Sequence, residues 1–221
     1  MASDEPRQQR RSPRRAPHAN DRGRAADLTR EKILTAALAE FGAKGYAGAR
    51  TAGIASRAGV NQQLIAYYFG GKQGVIDELR RRASSQQDDL AQSDATFAES
   101  LRHYLDTTLD QPDWARLVVW QALGDDPGQP GNSSIAAHQQ RMQQGVARIR
   151  SLQQAGKLTD TVSPEFVVLL EHLIAFAPLA LPQIVRGLFD VDPLSPEYRD
   201  LCHEQLLRLL GNEPANRSTE A

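Results

Sequence analysis

Cysteine and aromatic residues are scarce in this sequence, and each shortage excludes a class of protein or shapes the core. The 221 residues include a single cysteine, Cys202, which excludes an internal disulfide framework and a zinc site built from several cysteines. Aromatic residues make up 6 % of the chain, so the core is predicted to consist mostly of Leu, Ile, Val and Ala. The single cysteine fits a reducing compartment, and we expect a cytoplasmic protein.

Long apolar runs are also missing. No apolar stretch near the N-terminus resembles a signal peptide, and we expect no membrane-spanning segment. The most apolar window, 166–181, contains Glu171 and His172 and lies among prolines. It therefore predicts a buried helix rather than a membrane span.

The net charge of the whole chain is −1, so neither sign is in large excess. Positive charges nevertheless dominate the first part of the chain, and negative charges dominate the rest. Residues 1–82 contain 16 Lys and Arg and 8 Asp and Glu, whereas residues 83–221 contain 10 and 19. The basic first third predicts that this end binds a polyanion, and the acidic remainder predicts a different role for the other end. The alternative is a chance distribution of solvated surface charge.

The stretch Thr51–Lys72 has the pattern of two short helices joined by a tight turn. The helices are predicted around 51–58 and 61–67, with Gly59 at the reversal, where a left-handed backbone favours a residue without a Cβ. Asn61 is expected to cap the second helix. Two such helices, with polar residues at the start of the second, form the helix-turn-helix arrangement.

Start and stop signals predict the other helices of the chain. The first is expected to begin at an N-cap, Thr29, and to end near Gly45. Further helices are predicted at 72–90, 95–109, 112–123, 133–154, 163–189 and 195–210. Pro178 and Pro182 are expected to kink or split the helix at 163–189.

This pattern predicts an all-α fold, and no segment alternates convincingly enough to predict a strand. The predicted segments are a disordered Arg-rich arm at 1–26, a helix-turn-helix head at 27–72, a helical body at 73–211 and a disordered tail at 212–221. The arginines of the arm either follow phosphates or only keep the chain soluble.

No residue pattern predicts a catalytic or metal site, and we expect no cofactor. The body histidines lack the spacing and neighbouring carboxylates typical of zinc sites, and no phosphate-loop or nucleophile motif is present. A small-molecule pocket would combine apolar walls with a few polar groups, although each candidate could equally be ordinary core or surface. The candidates are His103, Trp114, Trp120, Met142, His172 and Phe176.

Three motifs in this order and spacing resemble the TetR family of transcriptional regulators: TREKILTAALAEFGAKGY at 29–46, IASRAGV at 54–60 and YYFGGK at 67–72. The resemblance is close over residues 29–82 and rests elsewhere on the order and lengths of the helices. It implies a homodimer whose head binds a palindromic operator in double-stranded DNA and whose body holds a small-molecule effector. It also implies a repressor without enzyme activity, with the fourth helix as the lever between body and head.

The resemblance further implies which residues of the head contact DNA. Gln62 and Gln63 match positions that reach base edges, and glutamine can pair with adenine through two hydrogen bonds. The other positions expected at the interface, mostly as phosphate contacts, are Arg50, Thr51, Asn61, Tyr67, Tyr68 and Lys72. The sequence departs from the family pattern at Ala66, which replaces a tyrosine, and at Arg50 and Gly71, which replace helix caps.

Two alternatives stay open at this point. The resemblance implies that the helices at 163–189 and 195–210 of two chains form a dimer bundle, but the same helices could be buried within the monomer. For the function, the alternative is a small-molecule-binding protein or enzyme that uses the body and has a non-functional head. Duplex binding that weakens steeply with salt distinguishes a regulator from this alternative.

Overall fold

The computed structural model describes residues 19–87, 95–124 and 133–211, and these residues form ten α-helices. The helices are α1 (Ala19–Gly48), α2 (Thr51–Ala58), α3 (Gln63–Phe69), α4 (Lys72–Gln87), α5 (Phe97–Asp110), α6 (Pro112–Ala122), α7 (Ser133–Gln154), α8 (Pro164–Ala180), α9 (Pro182–Phe189) and α10 (Pro196–Leu210). The all-α prediction, with an N-terminal head and a C-terminal body, is confirmed. Most of the predicted arm, the predicted tail and the predicted helical residues 88–90 lie outside the described part.

Helix α1 is longer than predicted at its N-terminus. It begins at Ala19, so the prediction of Thr29 as the N-cap is wrong, and residues 19–26 are helical instead of belonging to a disordered arm. The hydroxyl of Thr29 donates a 2.8 Å hydrogen bond to the backbone oxygen of Ala25 within the helix. These first turns are largely exposed where side chains are described, so they carry no apolar period that could reveal them. At the other end, Gly45 kinks the helix with a φ of 69°.

The helix-turn-helix is confirmed, with shifted bounds for its second helix. Helix α2 ends at Gly59, whose φ of 65° lies in the left-handed region. Helix α3 begins at Gln63 rather than at Asn61 and continues to Phe69. The Oδ1 atom of Asn61 accepts a 2.8 Å hydrogen bond from the backbone N–H of Gln63. Asn61 therefore accepts a hydrogen bond from the first N–H of α3, as expected, but the N-cap position itself is occupied by Gln62, whose side chain makes no capping bond.

Helices α5, α8 and α10 begin close to their predicted starts, because their caps are local. The hydroxyls of Ser163 and Ser195 accept hydrogen bonds from the backbone N–H groups at the start of α8 and α10. At α5, Thr96 and Glu99 bond to each other's backbone N–H groups in a capping box.

The predicted helix at 163–189 is split, as its prolines suggest. Pro182 begins α9, which is bent by 100° relative to α8, whereas Pro178 remains inside α8. No single helix in the described part of the chain is long and apolar enough to cross a membrane. Only α8 and α9 taken together reach that length and composition, and the bend lies between them.

Two hydrophobic cores organise these helices, one in the head and one in the body. The body core is formed by α5, α7, α8, α9 and α10. The head core is formed by α1 to α4 together with Leu117 of α6. Since Val75, Ile76 and Leu79 of α4 are buried in the head core, the head extends beyond the boundary predicted at residue 72.

Helix α6 joins the head to the body, because it packs along α1 and also contacts α5 and α8. Leu117 is fully buried in the head core, and Trp114 packs against the same core. The Nε1 atom of Trp120 donates a 3.2 Å hydrogen bond to the backbone oxygen of Gly42. A Cβ at Gly42 would lie 2.6 Å from the backbone oxygen of Asp113. The close contact between α1 and α6 thus depends on glycine at position 42.

Candidate nucleic-acid interface

Helix α3 exposes a polar face to solvent, and a buried isoleucine on its other side holds it in the head core. Ile65 is fully buried in the head core, while Gln62 and Gln63 are exposed and Tyr67 is 79 % exposed. Side chains four residues apart lie on one face of a helix, so Gln63 and Tyr67 extend from the same side of α3. This face can enter a major groove without disturbing the core contacts of Ile65.

The two glutamines of the predicted base readout differ in their bonding. The Nε2 atom of Gln62 donates a 2.8 Å hydrogen bond to the hydroxyl of Thr51, which ties the start of α3 to the start of α2. The side chain of Gln63 has no hydrogen bond to any residue that the structure describes. Gln63 is therefore better placed than Gln62 for two-point pairing with adenine.

The ammonium group of Lys72 is held by the end of α1. Its Nζ donates hydrogen bonds to the backbone oxygens of Tyr46 and Ala49 at 2.8 and 3.1 Å and lies 4.2 Å from the centroid of the Tyr46 ring. Carbonyl oxygens at the C-terminal end of a helix attract a cation in this way. Lys72 is thus half-buried, and the phosphate contact expected of it would use its remaining N–H.

Arg50 and Tyr68, two further predicted contacts, lie in different environments. Arg50 is exposed, and its side chain forms no capping bond at the start of α2. Tyr68 is half-buried, and its ring packs against the head core. The ring of Tyr67 meets it edge-on, with 5.0 Å between the ring centroids. Of the two, Arg50 is the more accessible to a phosphate.

A buried carboxylate that the sequence analysis missed, Glu40 of α1, holds α2 in place. It is 1 % exposed, and its oxygens lie 2.6 Å from Nζ of Lys44 and 2.9 Å from Nε of Arg57. The bond from Lys44 and then that from Arg57 lower the pKa of Glu40, although burial opposes them. A Cβ at Gly53 would lie 2.5 Å from Oε1 of Glu40. The sequence feature that could have revealed this role is a glutamate among the apolar positions of α1.

The arginine run at 80–82 lies in the second half of α4, and Arg82 is bonded within the head. It forms two hydrogen bonds of 2.7 Å with Glu31 of α1 and a 2.9 Å bond with Glu78. Arg81 also bonds to Glu78, and the two arginines, Arg81 first, lower the pKa of Glu78 to about 2. Arg82 therefore fastens α4 to α1.

The predicted pocket residues lie in separate places. His172 and Phe176 of α8 stack with 6.4 Å between their ring centroids, and Met142 and Phe176 pack against the body core. Trp114 and Trp120 lie instead at the contact between α1 and α6.

His103 lies on the exposed side of α5, with its Nε2 atom 3.1 Å from the hydroxyl of Thr107. Within the described ranges, no three His, Cys, Asp or Glu side chains are grouped so as to hold a metal ion. The structure thus groups His172, Phe176 and Met142 around the body core and separates the other three candidates from them.

Two family models match the chain in order. Residues 33–79 match the family of bacterial regulatory proteins named after tetR. Residues 97–199 match the tetracyclin repressor-like C-terminal domain. The first match covers the helix-turn-helix and the part of α4 that enters the head core, and the second covers most of the body.

Known proteins match over most of the chain. The HTH-type transcriptional repressor SCO4008 of Streptomyces coelicolor is 31 % identical over 168 residues, which are 74 % of this chain and 84 % of that protein. The crystal structure of SCO4942 from Streptomyces coelicolor has a TM-score of 0.64 at 25 % identity and covers 82 % of this chain and 98 % of its own. The SmeT–triclosan complex shares the fold, with a TM-score of 0.53 at 17 % identity and coverage of 84 % and 93 %.

The geometry of the head and the family matches both indicate a DNA-binding protein. A helix-turn-helix carries an exposed polar face, and both halves of the chain match models of one regulatory family in the right order. The family acts by binding DNA and not by catalysis. This protein therefore belongs to the TetR family of bacterial transcriptional regulators and is a DNA-binding transcriptional repressor.

Proposed function

We propose that the protein acts in the bacterial cytoplasm as a homodimer that binds a palindromic operator and is released by a small-molecule effector bound in its body. The observation that carries this proposal is that the chain exposes two surfaces of opposite character. Helix α3 exposes a polar face, and α8 with α9 exposes an apolar face. The first fits DNA and the second fits another copy of the chain.

On DNA, the exposed face of α3 enters the major groove, and Gln63 contacts a base edge. Tyr67, Arg50 and Thr51 surround that face and bond to phosphates, as does Lys72 through its remaining N–H. The surplus of basic residues in 1–82 supports this arrangement, because cationic side chains near a duplex release its counterions. Phosphate contacts position the head, and the glutamine supplies sequence preference.

The dimer surface consists of large apolar side chains that are each about half exposed or more. They are Phe166, Leu169 and Leu173 of α8, and Leu181, Ile184 and Leu188 at α9. The opposite face of α8 is already buried, with Val167 and Ala175 at 1 % and 0 % exposure. A second apolar face on a helix that already fills a core supports contact with another chain. In α10, Leu206 and Leu210 are buried within the monomer, whereas Leu209 is 67 % exposed and is the leucine of this helix that supports contact with another chain.

Coupling between effector and operator runs through α6 in this proposal. Helix α4, the lever suggested by the family resemblance, packs against α1 and α3 of its own head. Helix α6 contacts α5 and α8 of the body and packs along α1 of the head. A ligand that separates α5 from α8 therefore shifts α6 and, with it, α1. The ligand must bind the released arrangement more tightly than the DNA-bound one, since equal affinity shifts nothing.

The base readout is tested with the Gln63→Ala variant. We expect it to keep a steep salt dependence but to lose about 1–3 kcal/mol of discrimination at one base pair of each half-site, the usual value of a two-point base contact. Duplexes selected by the wild type from a random pool supply the operator, and fluorescence anisotropy across single base-pair changes measures the discrimination. Gln154→Ala, at an exposed glutamine of α7, is the matched control. A Gln63→Ala profile that coincides with the wild-type profile removes Gln63 from the readout.

The dimer surface is tested with the Leu173→Glu variant. A carboxylate at the centre of the apolar face should convert the dimer to monomer, because burying an unpaired charge costs several kcal/mol. Sedimentation velocity measures the mass, and operator affinity should fall by about a hundredfold or more as the second half-site contact is lost. Leu123→Glu, at an exposed leucine after α6, should leave mass and affinity unchanged. A Leu173→Glu protein that stays dimeric moves the interface elsewhere.

A further inference from the structure

Gln62 lies at the junction of the two helices of the helix-turn-helix. It occupies the N-cap position of α3 with helical backbone angles (φ −55°, ψ −31°), and its side chain makes no capping bond there. Instead, its Nε2 atom donates the 2.8 Å hydrogen bond to the hydroxyl oxygen of Thr51, the first residue of α2. The side chain of Gln62 is therefore bonded to the neighbouring helix and not to its own.

The direction of the Gln62 side chain also differs from that of Gln63. Successive residues of an α-helix point about 100° apart around its axis, and the helical backbone of Gln62 continues this rotation. Gln63 shares its side of α3 with Tyr67, whereas Gln62 shares its side with Ala66. When Gln63 and Tyr67 face the floor of a groove, Gln62 points sideways to the start of α2. The two adjacent glutamines are thus not equivalent.

The chemistry of this hydrogen bond determines what the Thr51 hydroxyl can still do. An amide nitrogen only donates, so the Thr51 oxygen is the acceptor, and its own proton remains available for a further acceptor. No residue that the structure describes accepts that proton. A hydroxyl that accepts a hydrogen bond is polarised by it and donates more strongly in turn. Thr51 therefore carries a strengthened donor without a partner in the described part of the chain.

The start of α2 favours an anion as the acceptor of this proton. The first N–H groups of a helix have no partner within it and carry a partial positive charge. Arg50 at the N-cap makes no side-chain bond to them, and the first turn contains no acidic residue. Arg50 is exposed and Thr51 is half-buried, so the acceptor can approach from solvent. In the proposed arrangement on DNA, this acceptor is a phosphate oxygen of the duplex.

We propose that Gln62 is a positioning residue for DNA binding: by donating to the Thr51 oxygen it directs the Thr51 proton to a phosphate, and it reads no base itself. This inference rests on the proposed function, because the phosphate belongs to the operator. Gln62 thereby couples the backbone contact of α2 to the position of α3 in the groove. Base preference at the start of α3 then belongs to Gln63.

The test is a double-mutant cycle on the full-length protein, with Gln62→Met, Thr51→Val and the variant that carries both. Methionine and valine keep the approximate shapes of glutamine and threonine but cannot form the hydrogen bond between them. Duplexes selected by the wild type supply the operator. Fluorescence anisotropy gives the affinity for the operator and for its single base-pair variants, at several salt concentrations. Thermal unfolding verifies that each variant is folded, and Thr51→Ala replaces Thr51→Val if the valine variant is not.

Thr51→Val should weaken binding to every duplex by about tenfold or more, the usual value of a hydrogen bond to a charged group. Gln62→Met should weaken binding about threefold or more in the wild type, but less than about twofold in the Thr51→Val background, because it acts through the hydroxyl. The salt slope should not change, since a neutral hydroxyl releases no counterion. The preferred base pairs and the melting temperature should not change either.

Two controls accompany the cycle. Thr51→Ser keeps the hydroxyl, so it should bind like the wild type, and adding Gln62→Met to it should cost as much as in the wild type. Gln63→Met removes the adjacent glutamine. It should change the base preference, and by the same amount with and without Thr51→Val, because Gln63 does not act through that hydroxyl.

Four results would overturn the inference. They are a Gln62→Met protein that binds like the wild type, equal losses from Gln62→Met with and without Thr51→Val, and a new base preference in Gln62→Met, which would make Gln62 a reader. The fourth is a lower melting temperature together with a lost preference at the base pair that Gln63 contacts, since the bond would then only hold α3 against α2. All four leave the proposed function intact. A wild type that binds no duplex would overturn the proposed function, and this inference with it.

Discussion

The Gly74→Ala variant is expected to lose about 1–3 kcal/mol of stability or more, the usual cost of forcing an extra group into a packed site. Gly74 lies in the first turn of α4, and a Cβ there would overlap the backbone oxygen of Phe69 at the end of α3. Relief requires α3 and α4 to separate. Because α3 carries Gln63 and Tyr67, the same displacement should lower operator affinity by about tenfold or more, at 1.4 kcal/mol per factor of ten.

Gly23→Ala is the matched control for this substitution. Gly23 is also a helical glycine, but a Cβ there would have nothing within 4 Å. Alanine should therefore be neutral or stabilise the helix by about 0.5–1 kcal/mol. Chemical denaturation gives the free energy of unfolding for each variant, and anisotropy gives the operator affinity. A Gly74→Ala protein as stable and as tightly bound as Gly23→Ala would mean that α3 and α4 are not in tight contact.

The Leu117→Ala variant is expected to lose about 2–5 kcal/mol of stability, the range for removing a leucine side chain from a packed core. Leu117 belongs to α6, and yet it is fully buried in the head core. Its truncation leaves a cavity at the contact that joins body and head. If α6 transmits the effector signal, ligand-induced release from the operator should weaken as well.

Leu123→Ala is the control variant, because it shows what the truncation of a leucine does where that leucine is not buried. Leu123 follows the end of the same helix but is 76 % exposed, so its truncation should change stability by less than about 0.5 kcal/mol. Unfolding in urea measures the free energy of unfolding of both variants, and fluorescence anisotropy measures their operator affinity. Equal stability losses in the two variants would show that α6 is not anchored in the head through Leu117.

Local signals were sufficient for the features that depend on chain neighbours. The turn at Gly59 lies where predicted, and Ser163 and Ser195 cap helices at the predicted starts, because a left-handed glycine or a capping hydroxyl involves only the adjacent residues. The start of α1 was missed for a physical reason. Its first turns are largely exposed where side chains are described, and periodicity detects a helix only through the face that it buries.

The candidate DNA interface also combines features that follow from local sequence with features that depend on distant residues. Exposure of Gln63 and Tyr67 followed from helical spacing around a buried Ile65. The bonding of Lys72 and Arg82 did not, because their partners lie far away along the chain: the backbone oxygens of residues 46 and 49 for the lysine, and Glu31 for the arginine. The sequence alone does not distinguish whether a long cationic side chain is solvated, binds a phosphate or pairs with a carboxylate, because this depends on which groups the fold brings close to it.

Spacing and local signals were enough to predict the helix-turn-helix and the order of the helices, and three short motifs carried the resemblance to the family, since all of these lie within short segments of the chain. Long-range packing was needed to find that α6 joins the body to the head and that Glu40 fastens α2. These two features depend on which distant helices meet and on which of their faces touch. The stretch Thr51–Lys72 carries the predicted DNA-binding face, and only the tertiary structure showed that α6 connects α1 of the head to α5 and α8 of the body.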